Sequence, residues 1–395
     1  MASNGIRDKV AIIGMGCTRF GEHRDKSVGD LLLDASREAM QSAGVAQKDI
    51  DAYWLGTFGS GISGVTLSKP LKIDYRPVSR NENYCATGSE AFRNACYAVA
   101  SGAYDMVMAI GAEKMSDSGM VGIPFSAPSS DGTMSEISPT GGFSLLSQGY
   151  AQRYGVSMDD LKTAMTHVAW KNHRNGVSNP RAQFRSEVRK DVIACAAPLA
   201  GNLSIFDCGG VGDGAAAAII VRAEDARRFT SKPVYVKALS FVTGPGTGTT
   251  DPRHDFSHLP EVHASALDAY KQAGVAHPLD EIALAEVHDC FTITEILIME
   301  DLMFAERGTA WQRVLAGDFD IGGRLPVNPD GGLKAFGHPL GASGIRMMFE
   351  CWLQLRKEAG ERQIDNGRKL AMTQNLGGFP GEMVGFASIL GAQLS

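Results

Sequence analysis

The sequence lacks the features that would place it in a membrane, outside the cell or on a nucleic acid. Its 395 residues contain no apolar run of the roughly 18 residues that span a bilayer, and its N-terminus has no signal-peptide pattern. The formal net charge is −6, from 38 Lys and Arg against 44 Asp and Glu. This charge disfavours binding to nucleic acid or to an anionic membrane. We therefore expect a globular protein with no nucleic-acid partner and no membrane span.

Cysteine is sparse and lacks the spacing of a disulfide framework or of a structural zinc site. The seven cysteines are scattered along the chain, and no two of them form a Cys-x-x-Cys pair. An odd number of cysteines with this spacing is typical of a reducing compartment. We therefore expect a cytoplasmic protein with no metal site.

Glycine is abundant, at 46 residues, and short strand-like runs alternate with longer amphipathic ones. Val10–Ile13 is predicted to be a strand, Val28–Ala43 a helix and Ile50–Leu55 the next strand. This rhythm predicts an α/β fold with mostly parallel sheets covered by helices. The pattern Ala-x-x-x-Ala-Gly-Val-Ala occurs at residues 39–46 and again at 269–276, which predicts two related halves.

A long stretch from Gly119 to about Asn202 departs from this rhythm. Ser, Gly and Pro dominate its first part, and polar helices with several basic residues follow. It lies between the strands predicted at 106–110 and 215–221. A long insertion within a compact α/β unit is usually functional, often as a lid or a binding loop.

Cys85 is the first candidate catalytic residue. It follows a turn-like segment, Asn81–Tyr84, and begins a helix of small residues that is predicted to reach Ser101. The N-terminus of a helix lowers the pKa of a thiol through its dipole and its free N–H groups, which favours the nucleophilic thiolate. The alternative is a buried structural cysteine, a role that fits Cys96 and Cys351 because they lie on apolar helix faces.

Two histidines are candidate bases for this thiol. His338 lies in the run Gly337–Gly341, where the following proline favours an extended backbone that presents the ring. His288 ends the strand predicted at Ile282–Val287, and His288 and Cys290 point to the same side of an extended chain. An ordinary turn, a structural strand-end histidine and a metal pair stay open as alternatives, although no third ligand has a zinc-like spacing.

Two further segments are candidate binding elements. The glycine run Asn375–Gly381 follows the strand predicted at Leu370–Thr373 and exposes N–H groups suited to an oxyanion hole, although a plain turn fits it equally well. Four basic residues recur at close to helical spacing: Arg181, Arg185, Arg189 and Lys190. They form either a solvated helix face or a contact for a phosphate-bearing ligand.

Taken in order along the chain, these motifs resemble those of a thiolase. Cys85 at a helix start, His288-Asp289-Cys290-Phe291, Gly337-His338-Pro339 and the closing glycine run occur in the order of that family. Asn328–Gly332 and residues 207–217 also resemble family segments. The resemblance covers nearly the whole chain.

The departures from the family pattern resemble one subtype. Biosynthetic and degradative thiolases carry Asn-Glu-Ala-Phe at the position of His288–Phe291, and a catalytic Cys at the position of Asn375. Both changes are similar to the sterol-carrier-type and archaeal-type thiolases. In the inserted stretch, Lys171-Asn172-His173 and Asn179-Pro180 with Gln183-Phe184 also resemble the sterol-carrier type. In that subtype the second catalytic thiol lies in the His-Asp-Cys-Phe motif, which implies Cys290.

The resemblance implies an enzyme that cleaves a 3-oxoacyl-CoA with free CoA, or runs the reverse Claisen condensation, with no permanently bound cofactor. His338 takes the proton of Cys85, which attacks the 3-oxo carbon and becomes acylated, and Cys290 protonates the departing enolate. The N–H groups of Cys85 and Gly377 hold the first oxyanion, and His338 and His288 lie near the enolate oxygen. Four residues are the expected contacts to the substrate CoA: Arg181, Arg185, Lys171 and His173.

The resemblance also implies the architecture and the partners. Two βαβαβαββ halves stack as five alternating layers, α-β-α-β-α. Residues 1–118 and 203–228 would form the N-terminal half, 119–202 an inserted loop domain that covers CoA, and 229–395 the C-terminal half. Relatives are dimers or dimers of dimers, and some pair with a small protein that combines an OB-fold and a zinc ribbon.

Three alternative functions stay open at this point. A ketosynthase or acyltransferase of the same superfamily would use Cys85, His288 and His338 but needs no second thiol such as Cys290. A steroid side-chain aldolase of the thiolase-like class tends to lack the nucleophilic Cys that this chain keeps. A non-catalytic lipid or acyl-CoA carrier would bind CoA esters without acylation of Cys85.

The motifs leave the acyl chain and the physiological direction open. Aromatic, branched and steroidal chains all suit a pocket with large apolar side chains. Five residues are candidates to line it: Tyr84, Met120, Phe125, Met134 and Phe143.

Overall fold

The computed structural model describes residues 5–117, 138–248 and 250–395. Met120, Phe125 and Met134, which are predicted to line an acyl pocket, lie outside these described residues. Within the described ranges, no helix combines the length and the apolar character needed to cross a membrane.

The first half of the chain alternates strands and helices. Its elements are β1 (Val10–Cys17), α1 (Val28–Ala43), β2 (Ala52–Gly56), α2 (Val65–Leu71), β3 (Val78–Asn81), α3 (Thr87–Ala100) and β4 (Met106–Glu113). Ser27 begins α1 with a capping box, because its hydroxyl oxygen accepts from the N–H of Asp30 and the Asp30 carboxylate accepts from the N–H of Ser27. Gly44 ends the helix at a φ of 68°, a left-handed conformation that glycine adopts without strain.

The segment that follows β4 is mostly helical where it is described. It contains α4 (Pro139–Tyr154), α5 (Met158–Val177), α6 (Lys190–Ala194), β5 (Pro198–Ala200) and β6 (Leu203–Ser204), and it leads to β7 (Gly214–Arg222). Phe143 and Leu146 of α4 and Met165 of α5 belong to one hydrophobic cluster with Leu297 and Met372 from the second half of the chain. The helices of this segment therefore share the core of the second half.

The second half repeats the plan of the first. Its elements are β8 (Val234–Thr243), α7 (Pro260–Ala273), α8 (Pro278–Glu281), β9 (Ile282–Glu286), α9 (Thr292–Asp301), α10 (Ala310–Leu315), α11 (Gly332–Phe336), α12 (Leu340–Arg356), β10 (Leu370–Phe379) and β11 (Glu382–Gly391). Gly274 ends α7 at a φ of 71°, as Gly44 ends α1. The repeated sequence pattern therefore corresponds to a repeated helix end.

The strands of the two halves have corresponding positions in the sheet. The first half has the order β3-β2-β4-β7-β1 and the second has β9-β10-β11-β8. The prediction of mostly parallel sheets is wrong, because β7 and β11 each run antiparallel to both of their neighbours. In the second half this reversal comes from the tight turn at 380–381, which joins β10 to β11 as a hairpin. The first half has the strand β3 between β2 and β4 in sequence. In the described part of the second half, the corresponding segment between β9 and β10 forms only a single bridge, between Ala285 and Val327.

The five expected layers are present. Helix α1 packs on β1, β4 and β7, and α7 packs on β8 and β11, so each covers an outer face. Helix α12 contacts α3 and strands of both halves, so these two helices form the middle layer. The two sheets are not separate, because β1 and β8 pair at Ala11–Tyr235 and Ile12–Val234. The fold prediction is confirmed, with the two sheets joined along this short edge.

Candidate active site

A sharp turn between β3 and α3 presents Cys85. Tyr84 has a φ of 51°, in the left-handed region, and this reverses the chain just before the cysteine. Thr87 holds the turn together, because its hydroxyl donates to the carbonyl oxygen of Tyr84 at 2.6 Å and accepts from the N–H of Asn83 at 2.8 Å. The helix begins at Thr87, two residues later than predicted. Cys85 is 8% exposed.

The start of α12 lies directly against this turn and against β4. A Cβ atom added at Gly88 or at Gly111 would lie 2.5 Å or less from the carbonyl oxygen of Gly341. Only glycine leaves room for backbones to approach so closely. The crossing brings the loop that carries His338 next to the turn that carries Cys85.

Cys85, His288 and His338 meet in the interior. The Cys85 Sγ and one ring nitrogen from each histidine all lie within 4.8 Å of one another. The two imidazole rings are perpendicular, with an interplanar angle of 85° and centroids 5.3 Å apart. These residues come from three separate segments of the chain, which the two halves of the fold bring together.

The hydrogen bonds of His338 indicate which ring nitrogen carries the proton. The Ser343 hydroxyl donates to the carbonyl oxygen of Pro339 at 3.0 Å, so its oxygen accepts the hydrogen bond of 2.7 Å from the Nδ1 of His338. The proton of the neutral ring is therefore on Nδ1, and Nε2 has a free lone pair. This Nε2 has no hydrogen-bond partner among the described residues. Burial and the positive charge of Arg346 lower the pKa of His338 to about 3, which keeps the ring neutral.

The Cys85 thiol is protonated in the resting site, contrary to the expectation of a lowered pKa. Burial and the nearby carboxylate of Glu113 raise the pKa of Cys85 to about 12, because both disfavour the thiolate. The helix dipole is too weak to offset this loss of solvation. A neutral thiol therefore faces a neutral imidazole, and proton transfer becomes favourable only as a new bond to sulfur forms.

Glu113 also ties together the segments around Cys85. Its carboxylate accepts hydrogen bonds from the N–H groups of Phe58 at 2.8 Å, Gly59 at 2.9 Å, Ser60 at 2.7 Å and Gly341 at 3.2 Å. This charge is satisfied entirely by neutral donors, since no basic side chain pairs with it in the described part of the chain.

Cys290 is a second buried thiol, and its pKa depends in part on Cys85. The pKa of Cys290 is raised well above its ordinary value, first by burial and then by the negative charge that Cys85 carries as a thiolate. Its Sγ lies 3.8 Å from the Oγ1 of Thr294, and its carbonyl oxygen accepts from the N–H of Gly209 at 2.7 Å. Cys290 is thus a fixed, protonated thiol.

The glycine run Asn375–Gly381 is mostly strand, and not the plain turn that was left open as an alternative. Strand β10 continues through Phe379. A Cβ added at Gly377 would lie 3.1 Å from the backbone nitrogen of Ala86 and closer still to the carbonyl oxygen of Asn83. The end of β10 therefore lies against the turn that carries Cys85, and the absence of a side chain at Gly377 permits this contact.

Lys171 does not face a ligand. It is 2% exposed, its ammonium group pairs with Glu295 at 2.9 Å, and it donates to the carbonyl oxygen of Val327 at 2.8 Å. The expectation that Lys171 contacts CoA does not agree with this burial, since a buried, paired ammonium group cannot reach a phosphate. The sequence pattern could not show this, because Glu295 and Val327 are distant along the chain.

The other three expected CoA contacts have different surroundings. Arg181 pairs with Glu38 of α1 at 2.6 Å, and Arg185 is exposed. His173 is buried, and neither ring nitrogen has a partner among the described residues. Burial and the charge of Lys334 lower the pKa of His173 to about 3.

Sequence reasoning did not find the residues that support this site. Glu113, Ser343 and the contact of Asn375 with His288 were not predicted. Ser343 had a usable signal, because it lies four residues after Pro339, where a helical hydroxyl reaches back to a carbonyl oxygen. Glu113 had no local signal, since its partners lie in two distant segments.

A buried thiol lies beside two imidazole rings in this site, an arrangement that suits cysteine-dependent acyl transfer. Residues 10–193 match the family model described as "Thiolase, N-terminal domain", and residues 247–391 match "Thiolase C-terminal domain-like". The chain belongs to the thiolase family, as the sequence motifs predicted. It is an acyltransferase that acts on an acyl-CoA.

Known relatives and solved structures agree with this assignment. The chain is 38% identical to the acetyl-CoA acetyltransferase of Methanothermobacter thermautotrophicus, over 95% of this chain and 98% of the relative. It is 31% identical to human sterol carrier protein 2, over 93% of this chain and 70% of that protein. The solved Ltp2-ChsH2(DUF35) aldolase has the same fold, with a TM-score of 0.82 and 23% identity over 98% of both chains.

Proposed function

We propose that this thiolase cleaves a 3-oxoacyl-CoA, or forms one by condensation, with Cys85 as nucleophile and His338 as base. The observation that carries the proposal is the convergence of the Cys85 thiol with His288 and His338 within 4.8 Å. The Nε2 of His338 has no hydrogen-bond partner among the described residues, which supports the role of base, because a lone pair there can accept the thiol proton. Cys290 is proposed as the acid, which its raised pKa supports.

The proposed steps balance in protons and electrons. His338 takes the proton of Cys85 as the sulfur attacks the 3-oxo carbon, and the N–H groups of Cys85 and Gly377 hold the oxyanion. Collapse breaks the bond between the second and third carbons, leaving an acyl group on Cys85 and an acetyl-CoA enolate. Cys290 protonates that enolate, whose oxygen lies near His288 and His338. Incoming CoA returns a proton to Cys290 and attacks the acyl group, and the Cys85 thiolate regains its proton from His338.

The inserted segment is proposed to cover CoA. Residues 119–202 would form this loop domain, 1–118 and 203–228 the N-terminal half, and 229–395 the C-terminal half. Among the expected contacts, the exposure of Arg185 supports a phosphate contact, whereas Arg181 would have to leave Glu38 and Lys171 is held by Glu295. His173 would serve as an uncharged contact. CoA acts as a substrate, with no permanently bound cofactor or metal.

We also propose an oligomeric state, a partner subunit and a cellular location. A homodimer or a dimer of dimers is supported by exposed apolar side chains beside edge strand β3, among them Ile62 and Tyr75. A small partner subunit is supported by the name of the aldolase, which pairs Ltp2 with ChsH2(DUF35). A cytoplasmic location is supported by the seven cysteines, all of which are free thiols.

The acyl group is proposed to lie among aromatic side chains. Tyr84 stacks on Phe58 with ring centroids 6.2 Å apart, and Phe143 stacks on Phe291 at 4.7 Å. Tyr84 is adjacent in sequence to Cys85, and Phe291 is adjacent to Cys290. These two aromatic pairs support a bulky or planar acyl chain.

Intact-protein mass spectrometry tests this function. The protein is exposed to acetyl-CoA and to branched, aromatic and steroidal acyl-CoAs, and Cys85→Ala is the control. We expect an acyl adduct on the wild type and none on the variant. Cys290→Ala should still become acylated but should not complete thiolysis. An adduct on Cys85→Ala, or no adduct from any acyl-CoA, would remove Cys85 as nucleophile.

A further inference from the structure

The second imidazole of the site is held by a chain of two buried side chains. The Nδ2 of Asn375, on β10, lies 2.8 Å from the Nδ1 of His288. The Ser89 hydroxyl, on α3, donates to the Oδ1 of Asn375 at 2.9 Å. All three side chains are fully buried. By the motif resemblance, Asn375 corresponds to the position at which biosynthetic and degradative thiolases carry a catalytic cysteine.

These contacts determine the proton position on His288. Because the amide oxygen of Asn375 accepts from Ser89, its NH₂ group faces His288, and this group can only donate. The Nδ1 of His288 must then be an acceptor. Burial lowers the pKa of His288 well below its ordinary value, and the neighbouring groups His338 and Arg346 also disfavour a proton on it, so the ring is neutral. A neutral ring with an unprotonated Nδ1 has its proton on Nε2.

The two histidines of the site therefore hold opposite tautomers. His338 has its proton on Nδ1 because Ser343 accepts from it, and its Nε2 is a proton acceptor. His288 has its proton on Nε2, which has no hydrogen-bond partner among the described residues and so is free to donate. One ring can take a proton from a thiol, and the other can hold an oxyanion.

We propose that Asn375 and Ser89 are positioning residues that fix His288 as an Nε2–H donor for the enolate oxygen. This proposal rests on the proposed function, in which His288 lies near that oxygen, and adds the two residues that decide its tautomer. Such a donor matters because the loss of one oxyanion-hole hydrogen bond typically slows catalysis by about 10²–10³-fold.

Close packing keeps the chain of hydrogen bonds in place. A Cβ added at Gly344 of α12 would lie 3.0 Å from the Oδ1 of Asn375 and even closer to the Oγ of Ser89. Any larger residue at this position would push the two groups apart. The middle-layer helices thus leave room for the Ser89–Asn375 bond and little room for Asn375 to rotate.

The ring ¹⁵N spectrum of histidine-labelled protein tests the tautomers without any measurement of activity. Two-bond ¹H–¹⁵N correlations, assigned with a His288→Gln sample, report which ring nitrogen carries the proton. We expect an unprotonated Nδ1 on His288 and an unprotonated Nε2 on His338 in the wild type. A protonated Nδ1 on His288 in the wild type overturns the proposal, whatever the outcome for Cys85.

Asn375→Asp tests the positioning role directly. Its carboxylate cannot donate, so Nδ1 of His288 should become protonated. Thiolysis should slow by about 10²–10³-fold, the cost of one lost oxyanion donor, while acylation of Cys85 persists. Lower pH should partly restore thiolysis in this variant alone, because an imidazolium again donates from Nε2. An unprotonated Nδ1 in Asn375→Asp, or a rate equally reduced at every pH, contradicts the proposal.

Two further variants separate positioning from general destabilisation. Thr373→Val removes a buried hydroxyl contact with Ser388, two residues before Asn375 on the same strand, and should leave both tautomers and the thiolysis rate unchanged. Ser89→Ala removes the group that orients the amide and should give a smaller loss of thiolysis in the same direction. If Cys85 does not acylate in the wild type, the proposed function fails, whereas the tautomer result stands by itself.

Discussion

The backbone N–H of Gly341 donates to the carboxylate of Glu113 at 3.2 Å, and this hydrogen bond joins the first turn of α12 to the end of β4. Burial raises the pKa of the Cys85 thiol, and the same carboxylate raises it further. Glu113 thus has two effects on the candidate site: it holds together the segments that carry His338 and Cys85, and it adds to the effect of burial in keeping the Cys85 thiol protonated.

Glu113→Gln should make the Cys85 thiol more acidic. A neutral amide removes the charge that opposes the thiolate, so the pKa of Cys85 should fall from about 12 and the alkylation of Cys85 at pH 8 should become faster. The measurement is the rate of iodoacetamide labelling of the Cys85 peptide as a function of pH. Glu82→Gln is the matched control, because Glu82 is exposed and has a weaker effect on the same thiol. An unchanged pH profile in Glu113→Gln would contradict this electrostatic role.

His173→Phe should stabilise the protein at acidic pH relative to the wild type. The pKa of His173 is lowered to about 3 in the folded protein, against an ordinary value of 6.5, so the unfolded chain binds more protons between these values. Stability from this group is therefore present above pH 6.5 and is lost as the pH falls toward 3. At pH 5 the wild type should lose about 2 kcal/mol of unfolding free energy that the variant keeps.

Chemical denaturation at pH 7.5 and pH 5 measures this difference. The phenyl ring suits the site, because His173 lies near Phe184 and Phe206 and its ring nitrogens are unpaired in the described structure. Equal pH dependence in wild type and variant would show that His173 is solvated in solution.

Much of the candidate site could be predicted from the sequence because its residues lie in short motifs. Cys85, His288, Cys290 and His338 each lie in a recognisable local pattern, and the family order links them. The helix that ends at Gly44 could be predicted equally well, because its amphipathic spacing and its stop residue lie within a single segment.

The wrong expectations all depended on tertiary contacts. The pKa of Cys85 rises because the fold buries it beside Glu113, and no local pattern reports burial. Lys171 was expected to contact CoA, but it pairs with Glu295, which lies 124 residues away along the chain. The extension of β10 to Phe379 depends on its pairing with β11 across a hairpin, which lets glycines continue a strand that they do not favour by themselves.

Gly377→Ala should impair acylation of Cys85 without unfolding the protein. The added Cβ would collide with the carbonyl oxygen of Asn83 and with the backbone of Ala86, so the turn must move and the oxyanion donors lose their alignment. We expect kcat/KM to fall by about 10²-fold or more, the cost of losing one such donor. Gly322→Ala is the matched control, because a Cβ at Gly322 meets no atom within 4 Å. Equal activity in the two variants would exclude Gly377 from the oxyanion hole.

Zn²⁺ should inhibit the enzyme reversibly, although the proposed chemistry uses no metal. The Cys85 thiol and one ring nitrogen from each of His288 and His338 lie within 4.8 Å of one another, and zinc binds thiolate and imidazole ligands in tetrahedral sites. Zinc would displace the thiol proton and bind the Cys85 sulfur. Inhibition should therefore weaken as the pH falls, because protons compete with zinc for the same ligand atoms. Steady-state rates with added ZnCl₂, followed by excess EDTA, measure this effect. His288→Gln should need more zinc for half-inhibition, because one ligand is lost. If EDTA instead abolishes the activity of enzyme that has received no zinc, the metal-free mechanism is wrong.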